Sequence, residues 1–241
     1  MAAHPPESVA ITDEQGCGFS EGLKGLRFYC DSFDDYVDDV LQLARSLQDT
    51  GTPGFKGLPL FVCGASLGGC IAYYAALRES SLFRGAVLLA PMLSLERVSK
   101  EGLNPYLEPI SRLVSRVWPA GEVVATTMTS MPFPDIKDLL DADPLLMGTK
   151  RKTRVRNATE YLRATRQVMA GLEGTTFPFV VFHSENDNMC DCDGSKALFD
   201  RAKSPDKQLR LVNSMWHVLT KEPGNEAVLA EAIEWILARA G

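Results

Sequence analysis

The stretch Leu58-Pro59-Leu60-Phe61-Val62-Cys63-Gly64-Ala65-Ser66-Leu67-Gly68-Gly69 decides the reading of this chain. Leu58 to Cys63 is a short apolar run with the length and character of a buried strand. Residues 69–79 follow a helical pattern. Between them lies Gly-x-Ser-x-Gly, and in that setting the pattern has a mechanical meaning. The serine sits on a sharp strand-to-helix turn, small neighbours let the backbone bend, and the hydroxyl is raised above the sheet. Ser66 is therefore the expected nucleophile. The amide of Leu67, at the helix start, is expected to face a developing oxyanion. Glycine makes up near 7% of average sequence, so the bare pattern arises by chance in roughly one chain in ten of this length. The flanking strand and helix carry the inference. The plainer alternative is a glycine-rich structural turn. Gly69 adds another small residue where helix and sheet pack closely.

Upstream, residues 31–49 read as a helix. Phe33, Tyr36, Val37, Val40, Leu41, Ala44 and Leu47 recur at three- and four-residue spacing and make one apolar face. Asp31, Asp34, Asp35, Asp38 and Asp39 crowd its start. A metal site is conceivable there; a solvated face favoured by the helix dipole is the plainer reading. Gly51-Thr52-Pro53-Gly54 breaks the chain. Downstream, Gly85 to Ala90 is a second buried strand, ended by Pro91.

From Pro91 to Thr176 strand signals vanish. Ile110, Leu113, Val114, Val117 and Trp118 form one amphipathic stripe, opened by Pro109. Ala158, Tyr161, Leu162, Thr165, Val168, Met169 and Leu172 form another, so this segment reads as a helical insertion. Strands resume at Phe177–His183 and Gln208–Val212, with a helix over 194–203 between them. A last helix runs from about Asn225 to Ala240. Strand and helix alternate on both sides of the insertion, which predicts an α/β fold with a mostly parallel sheet.

A serine nucleophile needs a base, and the chain has 3 histidines. His4 lies in a polar tail. His183 ends a strand, four residues before Asp187. His217 falls in the loop between the strand at 208–212 and the final helix, where the order serine, acid, histidine places a base. A satisfied loop histidine is the plain alternative. Glu185, Asp187, Asp191 and Asp193 all occupy the loop expected to hold the acid. Asp187, near the strand end, is the choice, and spacing alone leaves Glu185 open.

The 241 residues are 45% hydrophobic and 23% charged, and their formal net charge is −6. They suit one medium domain with an insertion, and the acidic balance argues against a general nucleic-acid binder. Residues 1–15 have neither the basic start nor the apolar stretch of a signal peptide. The apolar run from Leu58 to Leu77 is broken by Gly64, Ser66, Gly68 and Gly69. A cytoplasmic protein, at most peripheral on membranes, is expected. Cysteines 17, 30, 63, 70, 190 and 192 are then read as reduced thiols. Cys190-Asp191-Cys192 lacks a second pair at zinc-like spacing and reads as ordinary. Asn157-Ala158-Thr159 is a glycosylation sequon that matters only on the secretory route. Lys150-Arg151-Lys152-Thr153-Arg154-Val155-Arg156 is a basic run, either a solvated loop or a contact for anionic lipid headgroups.

Three stretches carry a family resemblance: Pro59-Leu-Phe-Val-Cys-Gly-Ala-Ser-Leu-Gly-Gly69, His183-Ser-Glu-Asn-Asp187, and Ser204-Pro-Asp-Lys with Met215-Trp-His-Val-Leu219. Over about residues 13–237 the chain resembles the monoglyceride lipase and lysophospholipase group of α/β hydrolases, including its caffeoylshikimate-esterase-like members. The resemblance implies an α/β-hydrolase fold, with a discontinuous core of residues 1–92 and 177–241 and a helical cap of residues 93–176 over an acyl-chain pocket. It implies Ser66, Asp187 and His217 as a catalytic triad, with Leu67 as an oxyanion donor and no metal or organic cofactor. A lipid or small ester is the implied substrate. Apart from the resemblance, the stripe from Ile110 to Trp118 reads either as a lipid-facing lid, giving peripheral membrane contact through the cap, or as ordinary packing against the core.

Three departures stand out. Gly16-Cys17-Gly18-Phe19-Ser20-Glu21-Gly22 resembles the group's Gly-His-Gly-x-Ser-x-Gly loop with Cys17 in place of histidine. Ser184 replaces the glycine usual after His183. The group places a longer segment ahead of the loop, with a His-Gly pair that supplies a second oxyanion donor. Here the loop begins at Gly16, so an N-terminally truncated sheet is expected, with Val9 to Thr12 as the remnant of one strand. Loss of one oxyanion donor costs about 2.7–4 kcal/mol of barrier. The alternative to a serine esterase is thus a catalytically impaired, ligand-binding or degenerate protein of the same fold.

Overall fold

The computed structural model describes residues 8–49, 52, 54–100, 113–124 and 131–241. Four strands, β1 (Leu60–Ala65), β2 (Phe83–Leu89), β5 (Phe179–His183) and β6 (Lys207–Leu211), form a parallel sheet in the order β1-β2-β5-β6. The helices around it are α1 (Phe33–Asp49), α2 (Leu67–Arg78), α3 (Glu96–Lys100), α4 (residues 113–117), α5 (Pro134–Ala142), α6 (Val155–Gly171), α7 (Cys192–Arg201) and α8 (Asn225–Ala240).

Strand side chains alternate between two cores, as the period of two requires. Ala86, Leu88, Phe179 and Val181 face a large cluster with Phe33, Tyr36 and Leu41 of α1, Ile71 and Tyr73 of α2, and Leu198 of α7. Val87, Leu89, Val180 and Phe182 face a smaller cluster with Val228, Ala232 and Trp235 of α8. Helix α6 joins the larger cluster through Ala164 and Val168. Its start is tied to residues 30–34. Asn157 Oδ1 accepts the Cys30 amide, and Glu160 Oε2 accepts the Phe33 amide at 3.1 Å.

Several expectations change. Strand β1 runs on through Gly64 and Ala65, so it ends directly at Ser66. Residues 9–12 form no strand, and Val9 and Ile11 are exposed. The region between β2 and β5 contains a two-stranded antiparallel ladder, β3 (Glu122–Val124) with β4 (Thr153–Arg154). Strands this short leave no periodic trace. The ladder is held by polar side chains: Arg154 pairs with Glu122 at 2.9 Å and donates to the Ala120 and Arg27 carbonyls.

That bonding, with Arg156 Nε donating to the Asp31 carbonyl at 2.7 Å, turns part of the basic run inward. The acids of α1 are likewise engaged, since Asp34 pairs with Arg78 and Arg163, and Asp38 with Arg78. Asn157 of the sequon is buried, with its amide on Tyr161. His4, Pro109 and Ile110 lie outside the described residues.

The contact of α2 with the turn after β2 sets the height of Ser66. A Cβ on Gly69 would stand 2.7 Å from Pro91 Cβ and 2.9 Å from Pro91 Cα. Gly69→Ala is expected to lower the unfolding free energy by about 1–3 kcal/mol in a urea titration. An unchanged midpoint and slope would contradict this contact.

Candidate active site

Ser66 stands between β1 and α2 at φ 53° and ψ −117°. A left-handed φ is costly for a side chain with a Cβ, so the surroundings must hold it there. They do so from two sides. The Ser66 amide donates to the Leu89 carbonyl at 2.9 Å, and the Ser66 carbonyl accepts the Met92 amide at 2.9 Å. The glycine before it is required by contact, because a Cβ on Gly64 would lie 2.1 Å from the Gly68 carbonyl oxygen. Leu67 is the first residue of α2. Its N–H is one of those that an α-helix leaves without an internal acceptor.

His217 comes to Ser66 from the loop between β6 and α8. Its Nε2 lies 3.0 Å from Ser66 Oγ, and its Nδ1 lies 2.6 Å from Asp187 Oδ2. Asp187 is 1% exposed. Burial alone would raise its carboxyl pKa. Hydrogen bonds from His183, His217 and the Cys190 amide outweigh that and hold it well below the usual carboxylate range. An ionised carboxylate only accepts, so both histidines present an N–H to it. The His217 Nε2 lone pair is then left for the Ser66 hydroxyl. Glu185, the other acid considered, is turned away to Lys196 and Asn213.

Comparison with known proteins places the chain in a family. The family model described as serine aminopeptidase, S33, matches residues 6–224. The human (Homo sapiens) monoglyceride lipase is 30% identical over 233 residues, covering 96% of this chain and 73% of that protein. The chain belongs to the monoglyceride lipase-like family of α/β hydrolases. Two solved structures share the fold. The Paleococcus ferrophilus monoacylglycerol lipase has a TM-score of 0.78 at 18% identity, covering 93% of this chain and 81% of that one. A soluble variant of the Saccharomyces cerevisiae monoglyceride lipase, in complex with a substrate analog, has a TM-score of 0.77 at 17% identity, covering 95% and 76%. The protein is a carboxylic ester hydrolase of this family. Among the described residues, no helix is long and apolar enough to cross a membrane.

Two supporting residues of the hydrolase take parts that a sequence reading does not assign. Glu222 is fully buried, and its carboxylate accepts the backbone N–H groups of Trp216, His217 and Val218 at 2.5–2.8 Å. It thereby shapes the loop that carries His217. Its partners are main-chain groups, which leave no mark in a sequence. The available hint was an acid five residues after the histidine. His183 was visible as a histidine near the acid, yet it is no base for Ser66. Its Nε2 donates to Asp187 Oδ2 at 3.1 Å, and its Nδ1 meets Ser195 Oγ at 2.7 Å.

Glu222→Gln replaces a charged triple acceptor with one neutral oxygen. Leaving buried N–H groups without acceptors costs about 1–3 kcal/mol each, so an unfolding titration should show a loss of that order. A shift of about 1 Å in a reacting group costs about a hundredfold in rate, and esterase kcat/KM is expected to fall more than stability alone explains. A variant with wild-type stability and rate would remove Glu222 from this role.

Proposed function

We propose that the hydrolase cleaves monoacylglycerol- or lysophospholipid-type esters by acyl transfer to Ser66. The observation that carries this reading is the continuous chain from Ser66 Oγ to His217 to Asp187, with contacts of 3.0 and 2.6 Å, set on a strained strand-to-helix turn. His217 Nε2 takes the Ser66 proton as Oγ attacks the ester carbonyl. Asp187 orients the ring and stabilises its charged form. The oxyanion develops beside the Leu67 amide at the helix start. His217 then protonates the departing alcohol, and the acyl-enzyme is hydrolysed by water activated through the same nitrogen. Each step uses groups of this chain and water.

Residues 93–176 act in this reading as the cap over an acyl-chain pocket, on a core of residues 1–92 and 177–241. Support comes from an apolar cluster that joins Met131, Ile136 and Leu140 to Met189 and Trp216. It sets α5 against the loops that carry Asp187 and His217. Leu113, Val117 and Trp118 are 63%, 76% and 58% exposed. Their spacing puts an apolar face outward on α4, suited to peripheral contact with the lipid surface where such substrates reside.

Folded protein is expected to react covalently with a fluorophosphonate probe at Ser66, and Ser66→Ala to abolish labelling. Unlabelled but well-folded wild type would sink the nucleophile assignment. Asp187→Asn should lose about a hundredfold or more in kcat, and Glu185→Gln far less; the reverse ranking would reassign the acid. With Leu113 and Val117 both changed to Ser, hydrolysis of vesicle-borne monoacylglycerol should slow more than that of a soluble short-chain ester. Equal effects on the two would refute the membrane face.

A further inference from the structure

The Cys190 thiol stands beside the site without a part in the mechanism above. It is 2% exposed, and its Sγ lies 3.9 Å from Ser66 Oγ. One ligand atom from each of Asp187, Cys190 and His217 lies within 4.8 Å of the other two. The His217 Nε2 lone pair that receives the Ser66 hydroxyl is also the pair a metal ion would take. We propose that a thiophilic divalent cation, with Zn²⁺ as the reference ion, binds Cys190 Sγ and His217 Nε2 beside Ser66 Oγ and inhibits the hydrolase. The inference rests on the esterase reading of these same residues.

The donor types suit the ion, and Ser66 Oγ joins them, 3.0 Å from His217 Nε2 and 3.9 Å from Cys190 Sγ. Zn²⁺ takes thiolate at about 2.3 Å and imidazole at about 2.0 Å. At a tetrahedral angle those bonds place N and S about 3.5 Å apart. Ser66 Oγ supplies a third corner and water the fourth. Asp187 already holds the Nδ1–H of His217. That is the carboxylate behind a metal-bound imidazole which fixes the tautomer and strengthens the donor. The exchange balances: the Cys190 thiol releases its proton to water and forms the metal–sulfur bond. The Nε2 lone pair passes from the Ser66 hydroxyl to the cation, Ser66 keeps its proton, and nothing is oxidised. With its lone pair on the cation, His217 can neither take a proton from Ser66 nor return one to the leaving alcohol, so inhibition is complete at saturation. Mg²⁺ prefers oxygen ligands and keeps its waters, so it should not substitute.

Chelator-treated full-length protein is assayed on a soluble short-chain ester with added Zn²⁺ or Mg²⁺, as wild type, Cys190→Ser, Cys190→Ala and Cys63→Ser. Zn²⁺ alone should inhibit wild type, and excess EDTA should restore it. Both Cys190 variants should need about tenfold or more Zn²⁺ for half-inhibition, since losing even a group behind a ligand costs about that much and Cys190 is itself a ligand. Cys63→Ser should respond as wild type does. A second readout needs no turnover: Co²⁺ should give a thiolate charge-transfer band in wild type and Cys63→Ser, and none in either Cys190 variant. A band that depends on Cys190 in protein without esterase activity would leave the metal site standing while the esterase reading fails. Equal Zn²⁺ sensitivity and equal Co²⁺ spectra in wild type and whichever Cys190 variant folds would overturn the metal site.

Discussion

The Asp187 carboxylate is the interaction on which the rest of the site depends. It is nearly free of solvent and takes four hydrogen bonds. His217 Nδ1 and His183 Nε2 meet Oδ2, and the Met189 and Cys190 amides meet Oδ1 at 2.7 and 3.0 Å. A buried charge is costly unless it is paired and fully hydrogen-bonded. Here the partners come from β5, from the loop after it and from the loop before α8, so satisfying one carboxylate fixes three segments at once. His183 extends the network to Ser195 of α7. Removing the carboxylate would strand two imidazole N–H groups and two amides in the interior.

Around that centre, the two other demanding groups are also held by the main chain. The backbone strain at Ser66, of order 1–3 kcal/mol for a residue at such a φ, is met by hydrogen bonds to Leu89 and Met92 at the end of β2. The loop bearing His217 is gathered by Glu222, which holds three consecutive amides. The proposed nucleophile and base are thus both held by main-chain hydrogen bonds. The apolar cluster of α5 with Met189 and Trp216 then brings the region between β2 and β5 over the loops that carry the acid and base. In the proposed mechanism, the hydroxyl, base and acid stand in line beside this apolar cluster.

Much of this was legible in the sequence because it is local. The Gly64–Gly68 pattern, the apolar strands and the amphipathic faces of α1 and α6 are read from residues a few positions apart, and all appear as elements. Asp187 and Glu185 were indistinguishable by spacing. What separates them is burial and the direction of a side chain, which depend on distant partners. Glu222 was invisible because it works through amides. The β3–β4 ladder was missed because two- and three-residue strands carry no period, and Arg154 holds it through carbonyls of Ala120 and Arg27. Asn157 of the sequon is buried because α6 packs on residues 30–34. The inward turn of Arg154 and Arg156 has the same cause. These are consequences of tertiary packing, which one chain read in one dimension does not encode visibly.

The hub role of Asp187 requires its two histidines to be opposite tautomers. As an ionised acceptor it needs an N–H from each, so neutral His217 must carry its proton on Nδ1 and neutral His183 on Nε2. The chain has 3 histidines, and the third, His4, is removed from the spectrum by substitution. Long-range ¹H–¹⁵N NMR of protein labelled at the imidazole nitrogens measures both tautomers directly. The predicted result is Nδ1–H for His217 and Nε2–H for His183. Finding the proton of His217 on Nε2, or that of His183 on Nδ1, would contradict the account at its centre.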